Sequence, residues 1–364
     1  AFDKVPHKRL LKKLWGIGIR GKIHAWITDF LFKRQQRVNI NRSFSSWQTV
    51  TSGVPQGSVL GPVLFLVYIN DLPEVLDCTM KLFADDTKLY SQIRNYEDED
   101  KLQDNIFNAC NWAKKWQMEF NIRKCKSLHI GNNVSRNEYF MSGNNGLVEK
   151  VNNVSEEKDL GVIFDEKLSF DKHISTKVNV ANRNLGLIFK NFTFMNKEMF
   201  LHLYKALVRP HLEYASVIWS PRLKKHIISI ENVQRRATRM LRGLKGLSYE
   251  ERLLYLGLPT LEYRRARADV IQVYKIINKL DVTANNLLQL RENNVTRGHL
   301  LKLYKPRAAN LEIRRHSFKY RVVNDWNSLP ETVVDSPTVN TFKSRLNKYW
   351  AGGNKFVAKC YNPY

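Results

Sequence analysis

Cysteine is scarce: Cys78, Cys110, Cys125 and Cys360 are the four in 364 residues, and they are widely scattered. That excludes a disulfide scaffold and suits a reducing compartment. Cys125 and His129 stand near metal-ligand spacing, but no second pair accompanies them, so a structural zinc site is not expected. Long apolar runs are also lacking. The longest, Val59 to Ile69, contains Pro62 and is too short to span a bilayer, so it reads as a buried helix and no membrane partner is expected. The opening residues lack a signal-peptide pattern, and there is no internal repeat or long low-complexity tract. Carboxylates are few beside bases: 34 Asp and Glu against 59 Lys and Arg leave a formal charge of +25. A chain this basic is expected to meet a polyanion, most commonly nucleic acid. An apolar fraction of 43% excludes disorder as the default.

What is present follows a clear order. Residues 4 to 33 carry two apolar stripes, Leu10, Leu11, Leu14 and Ile17, then Ile23, Trp26, Ile27 and Phe30, parted at Gly16-Ile17-Gly18. Residues 37–40 and 47–50 alternate like a hairpin with its turn near Asn41-Arg42-Ser43. The loop from Ser52 to Gly57 leads into the apolar helix, and residues 81–90 read as a second hairpin. A helix is expected from about 98 to 119, with Leu102, Ile106, Cys110 and Ala113 on one face. The polar stretch Gly131 to Glu157 is a first boundary, followed by an expected strand from Leu160 to Phe164. Helical periodicity then runs from about 170 to 280. Glu292 to Gly298 reads as a linker, and the basic remainder ends in a short helix around Phe342 to Trp350.

The sharpest local signal is Phe83-Ala84-Asp85-Asp86, flanked by strand-like residues. It places two adjacent carboxylates at a hairpin tip. Side chains alternate along a strand, so the two acids point in different directions. Carboxylates this close repel unless a cation neutralises them, and hard oxygen donors suit Mg²⁺. By itself Asp-Asp is a common solvated turn, and its neighbours give it meaning.

Upstream stands Ser52-Gly-Val-Pro-Gln-Gly-Ser-Val-Leu-Gly-Pro62, then Phe65 and Tyr68-Ile-Asn-Asp-Leu-Pro73. This run resembles motif B of reverse transcriptases, and Asn70 to Pro73 resembles the LINE and group II intron branches. Phe83 to Asp86 is similar to motif C, the metal-binding box. Ala1 to His7 resembles the second half of motif A, Trp116 to Lys126 motif D, and Leu160-Gly161-Val162 motif E, the primer grip. Leu207 to Tyr214, Trp219-Ser-Pro221 and Trp326 to Pro330 with Phe342-Lys343 look like the thumb region of jockey-type LINE elements.

The resemblance implies an α+β right-hand polymerase. It comprises a palm over 1–157, made of a small antiparallel sheet with helices, a primer grip and helical thumb over 158–290, and a basic helical region over 291–364. It implies RNA-directed DNA synthesis with two Mg²⁺ ions, an RNA template, a DNA primer and deoxynucleoside triphosphates. Localisation would be cytoplasm and nucleus, as a ribonucleoprotein. Asp85 and Asp86 would hold metal. Lys124, with Lys126 as competitor, would protonate the leaving pyrophosphate. Phe2 would exclude a 2′-hydroxyl, and Pro55, Gln56 and Gly57 would line the nucleotide. Leu160 and Gly161 would grip the primer. The family's first motif A aspartate would fall roughly four positions before Ala1, and the metal clamp needs it. The chain is therefore expected to be an N-terminally truncated fragment that does not polymerise by itself. A non-catalytic nucleic-acid-binding remnant is the alternative.

Two helical stretches carry bases over apolar stripes. In one, Arg235, Arg236, Arg239 and Arg242 lie opposite Ile227, Ile230, Val233 and Ala237. In the other, Arg264, Arg265 and Arg267 lie near Ala266, Val270, Val273 and Ile277. Arg235, Arg236, Arg239, Arg264 and Arg265 are expected to track phosphates. Arg314, Arg315, Lys319 and Arg321 either bind RNA or remain solvated.

Overall fold

The two opening stripes fold as helices α1 (His7–Gly16) and α2 (Gly21–Leu31), parted where Gly18 takes φ +91°. In the computed structural model the residues described are 1–131, 136–143, 146–281, 287–292, 298–307 and 312–352. Contacts divide the chain into two units, Ala1–Ser155 and Glu156–Tyr364.

In the first unit, a ribbon of short strands follows α2: β1 (Gln35–Gln36), β2 (Asn39–Ile40), β3 (Ser43–Phe44) and β4 (Gln48–Thr49). Its turn is Asn41-Arg42, both at positive φ, the conformation a two-residue hairpin of type I′ demands. Helix α3 (Leu60–Ile69) buries Leu64, Phe65, Tyr68 and Ile69. The expected buried helix is buried on part of its surface, with Val63 and Leu66 about half exposed and the preceding Val59 more so. Next come the hairpin β5 (Thr79–Phe83) and β6 (Asp86–Tyr90), then α4 (Tyr96–Lys115). The Asn95 side chain caps α4 by accepting from Asp98 N; Glu97, Asp98 and Glu99 favour its positive end, and Lys114 and Lys115 its negative end. Strands β7 (Lys126–Leu128), β8 (Phe140–Ser142), β9 (Val148–Lys150) and β10 (Asn152–Val154) close the unit. Its main core joins Leu10 and Leu14, Ile27 and Leu31, Leu64 and Phe65, and Ala109, Trp112 and Ala113.

The second unit opens with the ribbon β11 (Glu156–Asp159) and β12 (Val162–Asp165). Leu160 and Gly161, expected to begin a strand, instead form its turn at φ +43° and +84°. Helices α5 (Asp171–Asn191), α6 (Lys197–Leu203), α7 (Arg209–Glu213), α8 (Ser216–Trp219), α9 (Lys224–Arg239), α10 (Tyr249–Leu256) and α11 (Leu261–Ile277) follow. A π-helical turn, Tyr204–Val208, joins α6 to α7. Val178, Ala181, Leu185 and Ile188 of α5 share a core with Ile230, Val233 and Ala237 of α9. The stripe spacing is thus the buried face of each helix. Beyond α11 lie α12 (Glu312–His316), α13 (Phe318–Asn327), α14 (Glu331–Val334) and α15 (Val339–Gly352). The basic C-terminal stretch is no separate body: Val322, Trp326, Phe342, Leu346 and Trp350 pack with Val270, Val273 and Tyr274 of α11. Most of the expected 292–298 linker lies outside the described residues, as does Cys360.

The expected single palm sheet is also corrected. Among the described residues the strands form six two-stranded pairings, of which β7 with β10 is parallel. The mixture of helices with small sheets stands. No described helix is long and apolar enough to cross a membrane.

Candidate active site

Three of the singled-out segments meet in the first unit. The loop before α3 lies against the opening residues through backbone bonds: Gly53 N donates to Val5 O at 2.8 Å, and Val54 N to Phe2 O at 3.0 Å. The Ser52 hydroxyl donates to Asp3 O at 2.9 Å. His7, buried, joins its Nε2 to Gly53 O at 2.7 Å. A Cβ on Gly53 would stand 2.8 Å from the Asp3 α-carbon, so only glycine lets the two strands of chain approach this closely. The Ser58 hydroxyl donates to Pro55 O at 2.7 Å and accepts from Gly61 N at 2.9 Å, which fixes the loop onto the first turn of α3.

Held this way, Gln56 and Gly57 are exposed and Pro55 is half-buried. Gln56 Nε2 donates to Asp3 Oδ1 at 2.9 Å, so the acid at position 3 is engaged as an acceptor for the loop. Phe2 lies half-buried with its ring stacked on Phe65, centroids 4.2 Å apart. One ring face therefore belongs to the core.

The carboxylate hairpin packs Met80 and Leu82 onto the same core as Phe2, Val54 and Phe65. Phe83 pairs with Asp86 across a two-residue turn, Ala84-Asp85. Ala84 has φ +49°, sparsely populated for a residue with a Cβ. Asp85 sits at the tip and Asp86 starts the return strand; both are exposed. Two hard oxygen donors side by side suit a divalent cation, and a two-ion clamp needs more donors than these. Among the described residues no group of three His, Cys, Asp or Glu side chains is placed to hold a metal. Lys124 ends a single 3₁₀ turn, Ile122–Lys124, and is exposed; Lys126 Nζ donates to Arg123 O at 3.4 Å.

Residues 1–170 match the family model described as reverse transcriptase (RNA-dependent DNA polymerase). That stretch belongs to the reverse transcriptase family. A probable RNA-directed DNA polymerase from transposon X-element of Drosophila melanogaster is 27% identical over 265 residues, which is 67% of this chain and 27% of the relative. The RNA-directed DNA polymerase from mobile element jockey of Drosophila funebris is 29% identical over 263 residues, 68% of this chain and 27% of the relative. The chain thus spans about a quarter of the length of the curated relatives it matches. Both relatives are named as RNA-directed DNA polymerases of a transposon or mobile element, and this chain is similar to them.

One feature of the reverse transcriptase stretch escaped the sequence reading. Lys13 Nζ is paired with Asp71 Oδ1 at 2.5 Å, inside a box of Tyr68, Trp112 and Trp116 whose ring centres lie 4.8, 4.7 and 3.8 Å away. Trp112 Nε1 donates to the same carboxylate oxygen at 3.1 Å. Burial lowers the Lys13 pKa, opposed by Asp71. The box fastens α1 and α4 to the Asn70 to Pro73 run, which gives Asp71 a structural role there. The available signal was a cation at a stripe position between Leu10 and Leu14.

In the second unit, the turn residue Leu160 accepts at its carbonyl from the Tyr214 hydroxyl at 2.9 Å, and a Cβ on Gly161 would meet the Tyr214 ring at 3.3 Å. The ribbon tip is therefore tied to the end of α7. The expected phosphate-tracking arginines divide. Arg236 and Arg239 are exposed, and Arg235 is half-buried with its guanidinium 4.7 Å over the Tyr249 ring. Arg236 and Lys225 border a groove of about 480 Å³ together with Asn182, Ser229 and Asn232.

Arg264 and Arg265 are corrections. Arg264 is engaged by both oxygens of Glu213, with Nη2 to Oε2 at 2.8 Å. Arg265 is buried beside the Glu231 network, and its burial lowers its pKa against the pull of Glu231. That network is closed: Glu231 accepts from the Tyr249 hydroxyl and from Leu261 N at 3.0 Å, and Gln234 links Tyr249 to Tyr204. Arg321 is likewise internal, paired twice with Asp269 at 2.8 and 2.9 Å. Arg314 and Arg315 remain exposed. Charge spacing on a helix does not distinguish a cation that faces solvent from one that faces a carboxylate on another helix.

Proposed function

We propose that this chain is the palm and thumb portion of an RNA-directed DNA polymerase of a LINE-type element, extending a DNA primer on an RNA template with deoxynucleoside triphosphates. The observation that supports the reading is a shared core: the loop residue Val54 belongs to it, and Phe2 and the hairpin residue Leu82 pack against it, so the segments that resemble motifs A, B and C contribute to one core. Asp85 and Asp86 are assigned to divalent metal, as the family's chemistry requires. When bound, the metal would activate the primer hydroxyl and offset charge on the leaving pyrophosphate. Pro55, Gln56 and Gly57 line the nucleotide, and the outer side of Phe2 limits room beneath its sugar. Lys124 donates a proton to pyrophosphate. Residues 1–157 act as palm. Leu160 and Gly161 grip the primer at the start of the thumb, and Arg235, Arg236 and Arg239 meet phosphates there.

The second reading is a nucleic-acid-binding protein that does not polymerise. Primer extension on an RNA template with Mg²⁺ separates the two. A protein that carries this stretch within a complete motif A is expected to extend the primer, and Asp85→Ala in it should lower extension by at least about a thousandfold; retained activity would remove the metal assignment.

A further inference from the structure

Asp3 and Gln56 lie 53 positions apart in the sequence and meet through a frame made mostly of backbone. Gly53 N donates to Val5 O, and Val54 N to Phe2 O. The Ser52 hydroxyl donates to the Asp3 carbonyl, and the buried His7 ring is joined to Gly53 O. The Asp3 α-carbon stands 2.8 Å from where a Cβ on Gly53 would lie, so the opening segment and the loop are in direct contact here. The main chain of Asp3 is therefore fixed from both sides. On the loop, the Ser58 hydroxyl bridges Pro55 O and Gly61 N, which fastens the residue before Gln56 to α3.

With both main chains held, the side-chain bond between them acquires a direction. Gln56 Nε2 donates to Asp3 Oδ1 at 2.9 Å. A carboxylate accepts hydrogen bonds and does not donate them, whereas an amide has a donor end and an acceptor end. Asp3 thus selects the nitrogen end of Gln56, because flipping the amide would set oxygen against oxygen. Among the described residues neither side chain makes another hydrogen bond or ion pair. The amide is oriented in one sense, with its nitrogen toward the opening segment and Oε1 left for another donor.

We infer that Asp3 is a positioning residue that decides which end of the Gln56 amide a bound deoxynucleoside triphosphate meets, so that Gln56 acts there as an acceptor for the nucleotide's hydrogen-bond donors. Asp3 acts through Gln56 alone and touches no substrate itself. The inference deepens the polymerase reading and rests on it for the identity of the ligand; the geometry of the pair stands apart from it.

Two measurements test it. In the intact chain labelled with ¹⁵N-glutamine, the Gln56 side-chain amide protons are identified by their loss in Gln56→Ala. They should move upfield in Asp3→Ala, where the acceptor is gone, and less in Asp3→Asn, which keeps one acceptor oxygen. Unmoved signals in Asp3→Ala would overturn the inference. In a protein that carries this stretch within a complete motif A, extension of oligo(dT) on poly(rA) gives KM for dTTP and kcat separately. Asp3→Ala and Gln56→Ala should each raise KM about tenfold and change kcat less than about twofold, as loss of one hydrogen bond made in binding predicts. The double variant should be no worse than either single variant, and Asp3→Asn should recover part of the loss. Losses that multiply in the double variant would overturn the inference, as would a fall in kcat at unchanged KM. Absence of extension by the unaltered protein would count against the polymerase reading alone, with the amide signal still deciding the pair.

Discussion

A methyl group at position 53 would meet the backbone of Asp3 at 2.8 to 3.0 Å, on a residue already at φ +93°. Gly57 has a similar φ of +83° but open space around it. The two glycines of one loop should therefore respond differently. Gly57→Ala is expected to cost about 1 kcal/mol from the backbone alone, and Gly53→Ala at least about 2 kcal/mol more, because the opening segment must move. Urea denaturation of the two variants checks the difference. In the second unit, His173 is fully buried, accepts from Ile163 N through Nδ1 at 3.2 Å, and has its pKa depressed to about 4 by burial. The unfolded chain takes up that proton from about pH 6.5 downward. Between pH 6.5 and 4 the unfolded state binds more protons, so stability should fall as pH falls through this window and level off below it. The loss is on the order of 3 kcal/mol. His173→Asn, which keeps an acceptor without a titrating proton, should flatten that part of the pH–stability curve in urea melts.

Elements in this chain are positioned by a few polar ties across apolar contacts. The Lys13 box joins α1, α4 and the run after α3. Replacing Lys13 with Met keeps its length and packing but leaves Asp71 with Trp112 as its remaining tie. A loss of about 1–3 kcal/mol is expected, and Asp71→Asn in the same background should recover part of it; a double-mutant cycle by urea unfolding measures the coupling. The helices themselves were legible because their stripes are their buried faces, as Leu10 and Leu14 or Val270 and Val273 demonstrate. Hairpin turns were partly legible. Asn41-Arg42 was placed correctly, since Asn favours positive φ. Leu160-Gly161 was taken for strand, because a leucine at φ +43° gives no local signal. Its conformation is held from a distance by Tyr214.

For the whole molecule, the charge of +25 was a sound guide to class and a poor one to particular residues. Binding to an RNA–DNA hybrid should weaken at least about a hundredfold between 50 and 200 mM salt, since each phosphate contact releases counterions. Arg236→Gln with Arg239→Gln should lower the slope, whereas Arg264→Gln should instead lower the melting temperature through loss of its Glu213 pair. Filter binding and thermal melts separate these effects. The sequence by itself determined the family of residues 1–170, the order of the motifs and the buried face of nearly every helix. These depend on neighbours along the chain and on residue types that chemistry fixes. Only the tertiary structure decided that Arg264, Arg265 and Arg321 turn inward and that the C-terminal helices join α11. Burial of a charge depends on what other segments bring alongside, and that is set by packing across long sequence distances.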